Sequence, residues 1–225
     1  MLRFHLITLF PEACEPYLSA SILGRAREAK KISVDYQSPR DYVTNKWGKV
    51  DERPYGGGPG MVMTALPVVT AVKKSLARRK GKIALVWFLP GGKEFDNAEA
   101  EKLSKFDDVV LVCGRYEGID NRALQLLKTF GTVKKYAVGQ ATYTGGEIPA
   151  LAIVDAVTRR IPGVLGKDES VEERRTAARE VYTRPESILW EGKGYRVPKV
   201  LQTGDHKKIE EWKNKKISLS KKKTV

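Results

Sequence analysis

The chain has 225 residues, room for one large domain or one domain with a small second one, and its 41% hydrophobic content supports a core without any apolar run near the roughly 20 residues that span a bilayer. Cys14 and Cys113 are the two cysteines and His5 and His206 the two histidines, which argues against a disulfide framework, a thiolate metal cluster or a histidine metal site and leaves a cytoplasmic protein as the expectation. A formal net charge of +14, with eight lysines against two glutamates in the last twenty residues, favours a polyanionic partner such as nucleic acid.

In chain order, the opening MLRFHLITLFPEAC has one basic residue and no small-residue cleavage site, so Arg3–Leu9 reads as a strand rather than a signal peptide. A helix is expected over Ile22–Lys30 and a strand over Ile32–Gln37, ended by Ser38 and Pro39. The polar stretch Asp41–Gly60 has no periodicity, and a structureless loop of that length is usually functional. Its RPYGGGPGM core has the glycines to cradle a phosphate but lacks the Lys-Ser/Thr ending of a nucleotide P-loop. Helix and strand then alternate: Leu66–Arg79 helical, Ile83–Phe88 extended, and Ala98–Lys105 helical after a cap at Asp96 or Asn97. Val109–Val112 is extended, Arg122–Lys128 helical, Val133–Val138 extended and Ile148–Ile161 strongly helical. This order implies an α/β fold with a mostly parallel sheet and helices on both faces. The charged segment Gly163–Arg179 reads as a linker or short exposed helix, and a smaller region follows from Tyr182.

Two strand ends stand out. VVLVCGRYEGID (Val109–Asp120) and VGQATYTGGEIPA (Val138–Ala150) each run from a β-prone segment into a loop punctuated by Gly114 and Gly118, or by Gly139, Gly145 and Gly146. Glycine permits close backbone approach and positive φ, and open α/β sheets bind ligands at the carboxyl ends of their strands. No strand is followed by GxGxxG with an acid about 20 residues on, so a dinucleotide-binding Rossmann site is not expected.

With ITLFPEAC, SPRDY, VDERPYGGGPGMVM, LVCGRYEGIDNR, VGQATYTGGEIPA, IPGVLG, YTRPE and VPKVLQTGDHKKIEEWK in order along nearly the whole chain, the sequence closely resembles the bacterial tRNA (guanine-N(1))-methyltransferases, members of the SPOUT class with a trefoil-knotted fold. The resemblance implies S-adenosylmethionine held in three loops, at Phe88, Leu89 and Pro90; at Gly114, Tyr116, Glu117 and Gly118; and at Val138, Gly139, Gln140, Ala141, Thr142 and Tyr143, closed by Gly145 and Gly146. It implies a homodimer whose site is completed at the subunit interface, and methylation of N(1) of the guanosine at tRNA position 37. Arg159 matches an arginine that the family uses on the target guanine, and Arg53, Arg184 and His206 are the expected RNA contacts. No protein metal site is expected, and a role for Mg2+ is left open.

The chain departs from the family at the general base. An ungapped walk from IPGVLG puts Arg174 where the family carries an aspartate. Glu173 is the nearest acid and the expected base, with Glu172, Glu169 and Asp168 close by. The expected domains are therefore 1–161 for catalysis, 162–181 as a charged linker, and 182–225 as a reduced helical tRNA-binding region with a lysine-rich tail. Two rivals follow: a noncatalytic homologue that binds S-adenosylmethionine and RNA, and a knotted methyltransferase acting on another RNA.

Overall fold

A computed structural model of the chain describes residues 1–165 and 180–221, with side chains of the last helix described as far as Lys213. The chain divides into two compact units, Met1–Leu165 and Gly166–Val225. In the first unit the order is β1 (Leu2–Ile7), α1 (Glu15–Leu18), α2 (Ser21–Glu28), β2 (Ile32–Gln37), the two-residue strands β3 (Asp51–Glu52) and β4 (Val62–Met63), and α3 (Ala65–Ser75). It continues with β5 (Ile83–Glu94), α4 (Asn97–Leu103), β6 (Asp108–Val112), α5 (Asn121–Leu127), β7 (Thr132–Ala137) and α6 (Glu147–Thr158).

Five strands form one sheet in the order β2-β1-β6-β5-β7, with every pairing parallel. Strand β6 lies at its centre, and all five of its residues are buried. An unbroken DVVLV suits that place, because a parallel strand covered on both faces needs apolar side chains both ways. Period-two alternation sorts the core. Phe4, Leu6, Ala84, Val86, Val109 and Leu111 pack on one side with residues of α2, α4 and α6. Ile7, Leu85, Trp87, Val110 and Val112 pack on the other with α3 and α5. Asp108, at the amino end of β6, is fully buried, and its carboxylate accepts hydrogen bonds from Arg3 Nε and Nη2, both at 2.7 Å, with His5 Nε2 at 2.9 Å. Those bonds, Arg3 first, outweigh the effect of burial and hold its pKa below the usual value.

Three expectations need correction. Strand β5 does not stop at Phe88: its pairing with β7 slips between Phe88 and Lys93, both opposite Tyr136, and resumes to Glu94. The slip is a bulge, which lets Pro90 and two glycines sit inside a strand without donating to the ladder. The stretch Asp41–Gly60 is not wholly irregular. A 3-10 turn covers Pro39–Tyr42, and Asp51–Glu52 pair antiparallel with Val62–Met63. Helix α6 ends at Thr158, with Arg159 as its C-cap, rather than running to Ile161.

The second unit carries an antiparallel hairpin, β8 (Ser187–Trp190) and β9 (Lys193–Arg196), that no sequence periodicity announced. Glu191 and Gly192 both take positive φ in its turn, the conformation that suits a two-residue hairpin. The expected helix is present as α7 (His206–Lys221). The Tyr182 and Trp212 rings meet at 6.4 Å between centres, tilted 58° to each other. Among the described residues, no helix is long and apolar enough to cross a membrane.

Candidate cofactor and substrate site

The three expected cofactor loops lie on adjacent strands, two at carboxyl ends and one at a bulge inside β5. The first, Phe88–Pro90, runs into the bulge Leu89–Gly92 of β5; the second, Gly114–Gly118, follows β6; the third, Val138–Tyr143 closed by Gly145 and Gly146, follows β7. Specific backbone contacts hold them together. The Gly146 amide donates to the Gly114 carbonyl at 2.9 Å, joining the second and third loops. A Cβ at Gly146 would stand 2.6 Å from Cys113 Cα, so only glycine allows this approach. The first and third loops meet through β5 and β7, where a Cβ at Gly92 would fall 2.7 Å from the Tyr136 carbonyl carbon. Within the third loop, Gly139 turns at φ +70° and the Tyr143 hydroxyl donates to the Val138 carbonyl at 3.1 Å.

Tyr116 adopts φ 59°, a left-handed conformation unusual for a tyrosine, and Gly118 has φ 124°. Tyr116 and Glu117 are exposed, as are Pro90, Gln140, Ala141 and Thr142, while Phe88, Leu89, Gly114 and Val138 are half-buried. The lining is thus open backbone and small side chains over an apolar floor. This fits an adenosine-like group, which needs paired amide and carbonyl contacts and an apolar surface for its ring.

The glycine-rich RPYGGGPGM segment docks on the second loop. The Glu117 amide donates to the Met61 carbonyl at 3.0 Å and the Met63 amide to the Gly118 carbonyl at 2.9 Å. The Glu117 side chain fills the space a Cβ would need at Gly60. Beside this junction, on the flank formed by α3 and α5, lies an open cavity of about 1150 Å³ lined by Arg53, Tyr55, Leu66 and Arg122 among others. Met61 and Met63, which bond to the second loop, line it, but no residue of the three loops does, and it is where the structure places Arg53.

Sequence reasoning passed over a buried polar network that ties these parts to β1. The Thr8 hydroxyl donates to Glu147 Oε1 at 2.7 Å, and the Phe10 amide donates to the Thr8 oxygen at 3.0 Å. Arg115 Nε lies 3.0 Å from Glu147 Oε2 without hydrogen-bond alignment, and its guanidinium stacks 4.5 Å over the Phe10 ring. A Cβ at Gly145 would sit 2.4 Å from Arg115 Nε. The available signal was Glu147 itself, an acid wedged between two glycines and an apolar helix. Nearby, burial and then the Glu147 charge push the Cys14 thiol up to about 11 and the Cys113 thiol well above the ordinary value, so neither acts as a nucleophile.

The structure separates the remaining expected residues. Arg159 caps the far end of α6 from Glu147, about 18 Å away at 1.5 Å per residue. It stands at the opposite end of α6 from Gly145 and Gly146. Arg53 belongs to the first unit, while Arg184 and His206 are exposed in the second. Glu173, with Asp168, Glu169, Glu172 and Arg174, lies outside the described residues. No cluster of three or more metal-ligating side chains occurs among the described residues.

A parallel α/β sheet with glycine-bearing loops gathered on the adjacent strands β6, β5 and β7 is an arrangement that α/β proteins use to bind small molecules. A family model described as tRNA (Guanine-1)-methyltransferase TrmD matches residues 2–225, and the chain belongs to that family. A tRNA (guanine-N(1)-)-methyltransferase of Clostridioides difficile is 40% identical over 217 residues, covering 94% of this chain and 90% of the relative. Enzymes of the same name from Pseudoalteromonas atlantica and Photobacterium profundum are 38% and 39% identical, covering 94% and 93% of this chain and 78% and 82% of theirs.

Proposed function

We propose that the protein transfers a methyl group from S-adenosylmethionine to N(1) of a guanosine in tRNA, at position 37 beside the anticodon. The reading is carried by the convergence of the three loops, in a member of this family, on one glycine-lined edge. Phe88–Pro90, Gly114–Gly118 and Val138–Gly146 hold the methyl donor through backbone groups, and Gly118 and Gly139 supply the turns at positive φ. When bound, the sulfonium supplies an electrophilic methyl group. The chain's own residues orient the acceptor and manage its proton.

N(1) of guanine carries a proton and is a poor nucleophile until it is removed. A carboxylate, with Glu173 the first candidate, takes that proton, and negative charge grows on O6. The Arg159 guanidinium placed at O6 stabilises this charge as it develops. Because Arg159 stands about 18 Å along α6 from Glu147, which follows the third loop, we assign it to the cradle of a second copy. That supports the homodimer with a shared site. A trefoil knot is proposed from membership of the family. Arg53 and the cavity beside Tyr55 offer cationic and aromatic surface to the anticodon loop, with Arg184 and His206 on the second unit as further RNA contacts.

The test is methyl transfer from labelled S-adenosylmethionine to tRNA with G or A at position 37. Transfer confined to G37 is expected, and Arg159→Ala should lower kcat by about 10²-fold or more. Equal labelling of the A37 transcript would remove the position assignment. A second reading rests on Arg174, which stands where the family keeps its aspartate: a homologue that binds cofactor and tRNA without transfer. It predicts saturable cofactor binding with no product, and loss of transfer in Glu173→Ala counts against it.

A further inference from the structure

The bulge Leu89–Gly92 forms one wall of the cradle, and both its ends pair with the same residue. Phe88 and Lys93 each lie opposite Tyr136 of β7, so the excursion between them is set by what fixes Tyr136 and Lys93. A single side chain from another element meets both. Glu99, in the first turn of α4, is 3% exposed. Its Oε2 accepts a hydrogen bond from the Tyr136 hydroxyl at 2.7 Å, and its Oε1 accepts from Lys93 Nζ at 2.6 Å and Lys102 Nζ at 2.7 Å. The carboxylate is itself anchored, because the Asp96 side chain caps α4 by accepting from the Glu99 amide at 2.8 Å. Phe95 packs edge-on against the Tyr136 ring at 5.4 Å between centres.

The placement of these partners is what matters. Lys93 is the residue after Gly92, where the first loop returns to the sheet. Tyr136 is two residues before Val138, where the third loop begins. We propose that Glu99 is a positioning residue for the cofactor. It sets the spacing between the first and third loops by holding Lys93 and Tyr136 on one buried carboxylate, without touching the ligand. This rests on the reading of the three loops as the methyl-donor cradle. In the string DNAEAEKL nothing distinguishes Glu99 from a solvated helix glutamate; its burial comes from the fold. A glutamine there keeps the volume and an oxygen for Tyr136, but it turns an amide N–H toward two ammonium groups and releases Lys93.

The experiment uses the full-length protein and S-adenosylmethionine, with cofactor affinity read by calorimetry and kcat and KM from tRNA methylation. Glu99→Gln should raise both Kd and KM for the cofactor about tenfold, with kcat at saturating cofactor within about threefold and the KM for tRNA unchanged. Tyr136→Phe should raise Kd less, and the double variant should be no worse than Glu99→Gln alone, since both act through one contact. Arg3→Met, which breaks the Asp108 pairing at the opposite end of the strands, should lower Tm and leave the cofactor Kd unchanged. If Glu99→Gln lowers Tm as Arg3→Met does while cofactor affinity stays at the wild-type value, Glu99 is structural only and the proposal fails. Should Glu99→Gln not fold, Tyr136→Phe and Lys93→Met give the same reading one contact at a time. Absence of cofactor binding by the wild type, or unchanged affinity in Gly139→Val, would instead remove the cradle reading and this proposal with it.

Discussion

A methyl group added at Gly146 would meet the Cys113 backbone at 2.6 Å, and backbone cannot rotate aside as a side chain can. The same methyl group at Gly91 would meet nothing within 4 Å. Gly146→Ala should therefore destabilise the first unit by about 2 kcal/mol or more, while Gly91→Ala stays within about 0.5 kcal/mol, both measured by urea unfolding. Equal effects would mean that the second and third loops are not joined at Gly146. These two glycines look alike in the sequence; what separates them is which backbone lies opposite. The charged network behaves the same way. Arg115 and Glu147 are 32 positions apart, and each reads as a surface charge until the fold brings them together above Phe10. The loops were legible from their glycines, whereas their fastening depends on pairs that no spacing rule connects.

Among elements, β6 was the most legible, because a central parallel strand must be apolar on both faces and VVLV has no other comfortable place. Strand β5 was half legible. Pro90, Gly91 and Gly92 are breakers by local chemistry, and only the slip against Tyr136 lets Lys93 and Glu94 rejoin the ladder. What holds that rejoined end has a pH signature. The Glu99 carboxyl is lowered to about 2 by its hydrogen bonds from Lys102, Lys93 and Tyr136, in that order. An unfolded glutamate titrates near 4.3. Because the folded value is the lower one, the stabilisation is complete above about pH 4.3 and is lost as pH falls toward about 2. Thermal melts of wild type and Glu99→Gln should therefore differ most above that window and converge through it. A gap in Tm that persists unchanged down to pH 2 would show that the carboxylate's charge is not what secures the end of β5.

For the whole molecule, the role proposed for α6 is a division of labour between two copies. Its first turn closes the third loop and its C-cap is Arg159, so Gly145 and Gly146 and the arginine proposed to face the guanine stand at opposite ends of one helix. The arginine's type was legible in the sequence, where the helix is expected to run past it to Ile161, but its place at the C-cap required the fold. If a second copy supplies Arg159, two inactive variants can repair each other. Arg159→Ala keeps an intact cradle, and Gly139→Val strains an exposed turn at φ +70° in the third loop while keeping the arginine. In a heterodimer of the two, one site combines both defects and the other combines none. Unfolding and refolding an equal mixture should place about half of the molecules in heterodimers, each with one intact site of two. Methyl transfer should then recover to about a quarter of the wild-type rate per protomer, from two parents that are each nearly inactive. The expected recovery depends on subunit exchange, so the mixture without refolding should gain activity only as slowly as the dimers dissociate. If refolded mixtures stay at the level of the parents while light scattering reports dimers, Arg159 acts within its own chain or not at all, and the shared site is wrong.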